Sequence, residues 1–319
     1  MHRRRVLQLL LSAIGSGLVA GRGSRLPPLF VHRAEALGTT AVFTVAASDS
    51  GEAEAMVAPL LAELRRLEKI FSLYDPDSAL SRLNRDGVLA APPFELIELL
   101  QLCARLHTAS QGAFDPTVQP LYAALAEHFA RSPRPPSAET LDRARASIGF
   151  YRVALAPDRI QLPPGMALTL NGIAQGHAAD RLVTLARSLG AEAVLIDTGE
   201  LAASAPPPGK RFWEVMGRVG PGPGMRVSLA TGALAVSHAG ATRFEPTGHF
   251  NHLLDPRSGR SPGPLCGAMV VAETAALADG LSTALCLLAP GQAVDLLRAF
   301  PVERALLVDG DGRRHRFPV

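Results

Sequence analysis

The segment Thr274–Leu288, TAALADGLSTALCLL, places Asp279 and Thr283 four residues apart inside an apolar run, and so on one face of a helix. A carboxylate there costs several kcal/mol to desolvate unless a partner charge or a metal compensates. Two hard oxygen ligands one turn apart suit Mg²⁺; the alternative is that Asp279 faces solvent near the helix start, among Gly280 and Ser282. In the turn-rich segment Ser110–Tyr122, SQGAFDPTVQPLY, Pro116 confines Asp115 to extended geometry. Phe114 on such a loop can stack on a planar ligand, or it plugs the core while Asp115 caps the next helix through Thr117. Leu168–Arg181, LTLNGIAQGHAADR, reads as strand, Gly-containing turn and helix start, whose backbone N–H groups are candidates for cradling phosphate oxygens. His252 stands close to Asp255, Arg257 and Arg260, residue types that supply a general acid or base and charge stabilisation for phosphoryl transfer. His238 and His249 have neighbours of the same kinds, and chemistry alone does not rank the three.

The elements that must position these groups are partly legible. Met56, Val57, Leu60, Leu61, Leu64, Leu67 and Phe71 fall at helical spacing after a capping-box-like Asp49 to Glu52 start, which predicts an amphipathic helix over Ala53–Phe71. Further helices are expected over Phe94–Ala109 and Leu121–Arg131, with SPRPPS, Ser132–Ser137, as a surface loop. Strand-like stretches follow at Tyr151–Leu155, Ala167–Leu170, Ala193–Ile196, Trp213–Val219, Arg226–Leu229, Ala268–Val271 and Ala305–Val308. The GPGPG loop, Gly220–Gly224, lacks the GxGxxG spacing and reads as a hairpin connection; no Walker loop, GxSxG elbow or HExxH is present.

With 319 residues, 47% hydrophobic and 19% charged, the chain has enough apolar material for a core and too little charge for disorder. Only Lys69 and Lys210 are lysines, so Schiff-base chemistry is nearly excluded. Five of the 32 basic residues, Arg3, Arg4, Arg5, Arg22 and Arg25, fall in the first 26 residues with no acid among them; the rest of the chain carries 27 basic against 29 acidic groups, a net of −2, and a nucleic-acid patch is not supported. Cys103, Cys266 and Cys286 lack CxxC spacing and are expected in the core rather than in disulfides or a zinc site. Arg3–Arg5 precede 15 uncharged residues, Val6–Ala20, a stretch short of the ~20 that a spanning helix needs. That is the profile of a signal peptide, and RRRVLQ resembles the twin-arginine export signal. A plain secretory signal or an uncleaved anchor in the inner membrane is the alternative. We expect residues 1–26 to be a leader and 27–319 one domain exported to a bacterial periplasm.

The pieces ALGTTA at Ala36, FSLYDPDSALSRLN at Phe71, GAFDPTVQPL at Gly112, NGIAQGHAADR at Asn171, HLLDPRSGRSP at His252 and LADGLSTAL at Leu277 together resemble the ApbE-like FAD:protein FMN transferase family, in the family's order. The resemblance implies a single mixed α/β domain with antiparallel sheet, flanking helices and a T-fold-like core, not a Rossmann fold. It implies FAD as substrate and Mg²⁺ as cofactor, with FMN attached to a Thr or Ser hydroxyl of an exported or membrane-associated redox protein and AMP released. By motif match, Leu37, Tyr74, Ala113, Phe114 and Asp115 contact the flavin nucleotide, and Leu37 stands where Met is usual. Asp279 and Thr283 hold Mg²⁺ with a backbone carbonyl around Gly172, and His252 matches the family's essential histidine.

Several positions depart from the pattern. Thr169 replaces an Asp, Gln175 a Lys or acidic residue, His177 commonly a Tyr, and His238 a Gly near the nucleotide. We therefore weigh the transferase against a non-catalytic periplasmic FAD-binding protein and against a Mg²⁺-dependent FAD pyrophosphatase yielding FMN and AMP.

Overall fold

The computed structural model describes residues 7–9, 26–220 and 223–318. The leader expected over residues 1–26 lies outside the described residues except for Leu26 and a short strand, β1 (Leu7–Leu9). The chain continues through β2 (Leu29–Ala36), β3 (Thr39–Ala46), α1 (Ser50–Phe71), α2 (Ala79–Asp86), β4 (Val88–Ala90), α3 (Phe94–Ala109), α4 (Gln119–Arg131) and α5 (Ala138–Arg145). Next come β5 (Ala154–Ala156), β6 (Arg159–Gln161), α6 (Ala174–Ser188), β7 (Val194–Asp197), β8 (Leu201–Ala203), β9 (Trp213–Gly217), β10 (Met225–Leu229) and β11 (Gly232–His238). The last elements are β12 (Gly267–Ala272), α7 (Ala275–Leu285), α8 (Pro290–Arg298), β13 (Val302–Val308) and β14 (Arg314–Pro318). No helix among the described residues is long and apolar enough to cross a membrane.

An eight-stranded sheet in the order β14-β13-β12-β11-β8-β7-β3-β2 forms the centre, and every strand pairing among the described residues is antiparallel. This is the mixed α/β architecture expected, and the absence of parallel pairing separates it from a Rossmann sheet. Period-two alternation divides the sheet into two faces. Phe43, Val194, Ile196, Ala233, Ala235, Ala268, Val270 and Leu307 join the core beneath the helices. Leu195, Leu201, Leu234, Met269, Val271 and Leu306 point the other way, into a second core closed by Trp213, Val215, Val227 and Leu229 of the β9–β10 hairpin. The hairpin reading of the loop around Gly220–Gly224 is thus borne out. Alanines on the helix face of β11 and β12 let α7 approach the sheet closely, which matters because α7 carries Asp279 and Thr283.

α1 starts one residue after Asp49, whose side chain accepts the Glu52 N–H at 2.9 Å, while Glu52 turns back to the N–H of Ser48. Its buried stripe includes Leu60, Leu64 and Leu67, each contributing roughly 1.5–3 kcal/mol through burial. α3 matches its expected span, α4 begins two residues early, and the three cysteines are buried as expected.

Two strand expectations are corrected. Ala167–Leu170 forms no strand: the side-chain amide of Asn84 takes the place of a ladder partner, donating to the Leu168 carbonyl at 2.8 Å and accepting the Leu168 N–H at 2.7 Å. Tyr151–Leu155 is split between a 3₁₀ turn at Phe150–Arg152 and β5.

Candidate functional site

The sheet's helix side opens into a cleft of about 510 Å³, where the β2–β3 turn, the C-terminus of α1, the Ala113–Pro116 loop, the start of α6, the β7–β8 turn and α7 converge. Leu37, Tyr74, Ala113, Phe114, Asp115, Thr169, Gly172, Gln175, His238, His252, Asp279 and Thr283 all line it, whereas Asp255, Arg257 and Arg260, close to His252 in sequence, do not, and Arg257 pairs with Asp255 at 2.9 Å. His249 is exposed and does not line it either.

Asp279 is 3% exposed, so the solvent-facing alternative is ruled out. Its Oδ2 accepts the Gly176 N–H at 3.2 Å. One turn later, Thr283 packs on the backbone of Gly172: a Cβ there would sit 2.9 Å from Thr283 Oγ1. Ser237 Oγ lies 3.3 Å from the same hydroxyl and 2.7 Å from Ser282 Oγ. A buried carboxylate, a hydroxyl and a neighbouring backbone turn are hard oxygen donors of the kind Mg²⁺ accepts, and Mg²⁺ usually keeps only one or two protein carboxylates beside substrate phosphates and water. Among the described residues no cluster of three His, Cys, Asp or Glu side chains offers a denser metal cage.

Of the two readings of the Phe114–Asp115 loop, the structure takes the buried one. Phe114 is 5% exposed and belongs to the core. Asp115 Oδ1 accepts the N–H and hydroxyl of Thr117 at 2.7 and 2.5 Å, and Oδ2 accepts the Phe150 N–H at 3.1 Å. The capping alternative therefore holds, while both residues still form part of the cleft wall. The amides considered as a phosphate cradle at the start of α6 are partly engaged within the protein. The N–H groups of Ile173 and Ala174 donate to Leu170, that of His177 to Ile173, and that of Gly176 to Asp279, so these four amides are already engaged.

His252 Nδ1 lies 3.1 Å from the Thr242 carbonyl, which can only accept. The neutral ring therefore carries its proton on Nδ1 and its lone pair on Nε2. His238 is set the other way: its Nδ1 accepts the Gly240 N–H at 3.1 Å, and burial together with Arg243 lowers its basicity. Leu37 has φ 51°, and its N–H donates to Glu68 Oε1 at 2.9 Å, anchoring the β2–β3 turn to α1.

Besides the half-buried Glu68, sequence reasoning missed two buried acids in the wall, Asp197 and Glu200, each 7% exposed. Both lie in or beside the β7–β8 turn, where Asp197 Oδ1 accepts the Gly199 N–H at 2.9 Å and Glu200 Oε2 accepts the Val236 N–H at 3.1 Å. Gly199 is required there, with φ +107° and the Gln175 amide 2.8 Å from where a Cβ would stand. The available signal was the run Asp-Thr-Gly-Glu, two acids flanking a glycine directly after an apolar strand.

The overall fold is shared with two solved structures. The ApbE protein of Thermotoga maritima superposes with a TM-score of 0.81 at 25% identity, covering 91% of this chain and 97% of that one. The apo flavinyl transferase ApbE of Pseudomonas stutzeri gives 0.77 at 27% identity, covering 92% and 94%. The ApbE family model matches residues 37–307, and the chain belongs to the ApbE family. A FAD:protein FMN transferase of Klebsiella pneumoniae is 26% identical over 305 residues, spanning 86% of this chain and 83% of the relative. One from Chlamydia muridarum is 28% identical over 229 residues, 69% and 71%.

Proposed function

We propose that this chain is a transferase that moves FMN from FAD to a Thr or Ser hydroxyl of an exported redox protein, releasing AMP. The observation that carries the proposal is Asp279, a carboxylate kept at 3% exposure in an apolar helix, with Thr283 one turn on and both facing one cleft. Asp279, the Thr283 hydroxyl and the Gly172 carbonyl would hold Mg²⁺, which when bound neutralises pyrophosphate charge and the departing AMP phosphate. His252, its Nδ1 proton held by Thr242, presents Nε2 as the base for the attacking hydroxyl. The hydroxyl oxygen bonds to the FMN phosphorus, the bond from that phosphorus to the AMP oxygen breaks, and the hydroxyl proton passes to Nε2. The cleft walls at Leu37, Tyr74, Ala113, Phe114, Asp115, Thr169, Gln175 and His238 contact the flavin nucleotide. Residues 1–26 direct the chain to the periplasm, where the acceptor resides.

Chromatography of FAD incubated with the purified protein and Mg²⁺, with and without an acceptor domain bearing a flavinylation Thr, tests this reading. AMP with a covalently fluorescent acceptor, lost in Asp279→Ala, is the expected result. Bound FAD without AMP in the presence of a competent acceptor overturns it in favour of a flavin-binding protein. FMN and AMP formed equally without acceptor would identify a pyrophosphatase.

A further inference from the structure

We infer that Asp180, a residue outside the cleft wall, is the positioning residue for Asp279: α6 and α7 cap each other's N-termini through this pair of carboxylates. Its relevance to catalysis rests on the proposed function; its geometry does not. Asp180 Oδ1 accepts the Ala275 N–H at 2.7 Å and Oδ2 the Ala276 N–H at 2.8 Å. Thr274 supplies the rest of that terminus, its hydroxyl accepting from Leu277 at 3.4 Å and its carbonyl from Ala278 at 3.1 Å. The first four amides of α7 are thereby satisfied, two of them by a side chain from another helix. In return Asp279 accepts the Gly176 N–H in the first turn of α6, whose N-cap residue, Ile173, has no side-chain cap of its own. Asp180 and Gly176 are four residues apart on α6, and Ala275 and Asp279 four apart on α7, so one face of each helix meets one face of the other.

The contact leaves no slack. A Cβ on Gly176 would stand 2.3 Å from the Ala275 carbonyl oxygen and 2.7 Å from the Ala276 nitrogen, so the two backbones touch. Burial pushes Asp180 up to about 6 against the pull of the two N–H bonds, and at neutral pH the anion still faces the positive end of α7. Loss of Asp180 frees the start of α7 to slide or rotate, and the first side chain downstream to feel it in the cleft is Asp279.

The test uses the purified protein as wild type, Asp180→Asn and Asp180→Ala, with Mn²⁺ as a paramagnetic probe. We expect the Mn²⁺ dissociation constant to rise by about 10-fold or more, as for other partners that orient a metal ligand. The Mg²⁺ concentration for half-maximal AMP release rises in parallel, while KM for FAD at saturating Mg²⁺ stays within about twofold. Independently of metal and turnover, hydrogen exchange of the Gly176 and Ala276 amides accelerates by about fivefold or more, with exchange in α3 and α4 unchanged. Wild-type exchange at Gly176 in Asp180→Ala overturns the inference, as does acceleration spread evenly over all helices, which marks a merely structural residue. A wild type that binds no Mn²⁺ and releases no AMP refutes the proposed function instead, and the exchange pattern still decides the clamp.

Discussion

His177 makes the folded state sensitive to acid. Its ring is 6% exposed, packs edge-on against Phe71 at 5.5 Å, and has an Nε2 with no hydrogen-bond partner among the described residues. Burial first, and Arg181 second, push its pKa from 6.5 down to about 4. The native state therefore holds the ring neutral, whereas the unfolded chain protonates it below 6.5. The stability that neutrality confers is fully present above pH 6.5 and is lost as pH falls towards 4. At about 1.36 kcal/mol for each tenfold change in proton affinity, the fall from 6.5 to about 4 corresponds to about 3 kcal/mol. His177→Phe keeps a ring against Phe71 and cannot titrate, so other groups cancel in the comparison. Urea unfolding followed by the fluorescence of the single tryptophan, Trp213, which is 4% exposed, gives the stability of each protein. Between about pH 7.5 and about pH 4 the wild type should lose about 3 kcal/mol more than His177→Phe. At the upper pH the two should agree within about 1 kcal/mol, because removing an unsatisfied buried nitrogen offsets the imperfect fit of the larger ring. Parallel loss of stability in both proteins would refute the assignment of a buried neutral imidazole.

Gly176→Ala forces a Cβ into the backbone of α7 and should lower stability by about 1–3 kcal/mol, read as a drop in thermal midpoint. Asp49→Ala removes the α1 cap and should cost about 1 kcal/mol with turnover unchanged, by urea midpoint and AMP assay. His252→Gln keeps a polar side chain without a base and should lower the AMP release rate at saturating FAD while leaving FAD affinity near wild type, measured by fluorescence titration. Replacing Arg3, Arg4 and Arg5 with lysine should retain the protein in the cytoplasm, which fractionation of expressing cells would show.

Local signals in the chain were enough for α1, α3, α4 and the chemistry of α7, but not for the short helices α2, α5 and α8. The 3.6-residue spacing of α1 and the Asp49 cap need only neighbours in sequence, and so does the placement of Asp279 and Thr283 on one face. The motif order along the chain likewise identified the family and the cleft residues. Five of the sheet's eight strands, β2, β3, β8, β11 and β14, were not legible in this way. β2 is largely half-exposed, without the clean alternation that announces a strand, and β11 pairs with β8 and β12 through small alanines that carry little β signal. The reverse error at Ala167–Leu170 has a long-range cause, since the Asn84 amide that occupies its backbone is 84 residues distant. Spacing also left the Asp279 orientation open, because exposure depends on what covers the helix, and its burial in the folded chain decided it. The same holds for Asp115, which caps Thr117 and walls the cleft at once, and for Asp180, Asp197 and Glu200. Their hydrogen-bond partners lie on other elements or arise from a turn that forms only when β7 meets β8. Residue type and spacing carry periodicity and caps; a carboxylate's role is set by which distant N–H groups the folded chain brings to it.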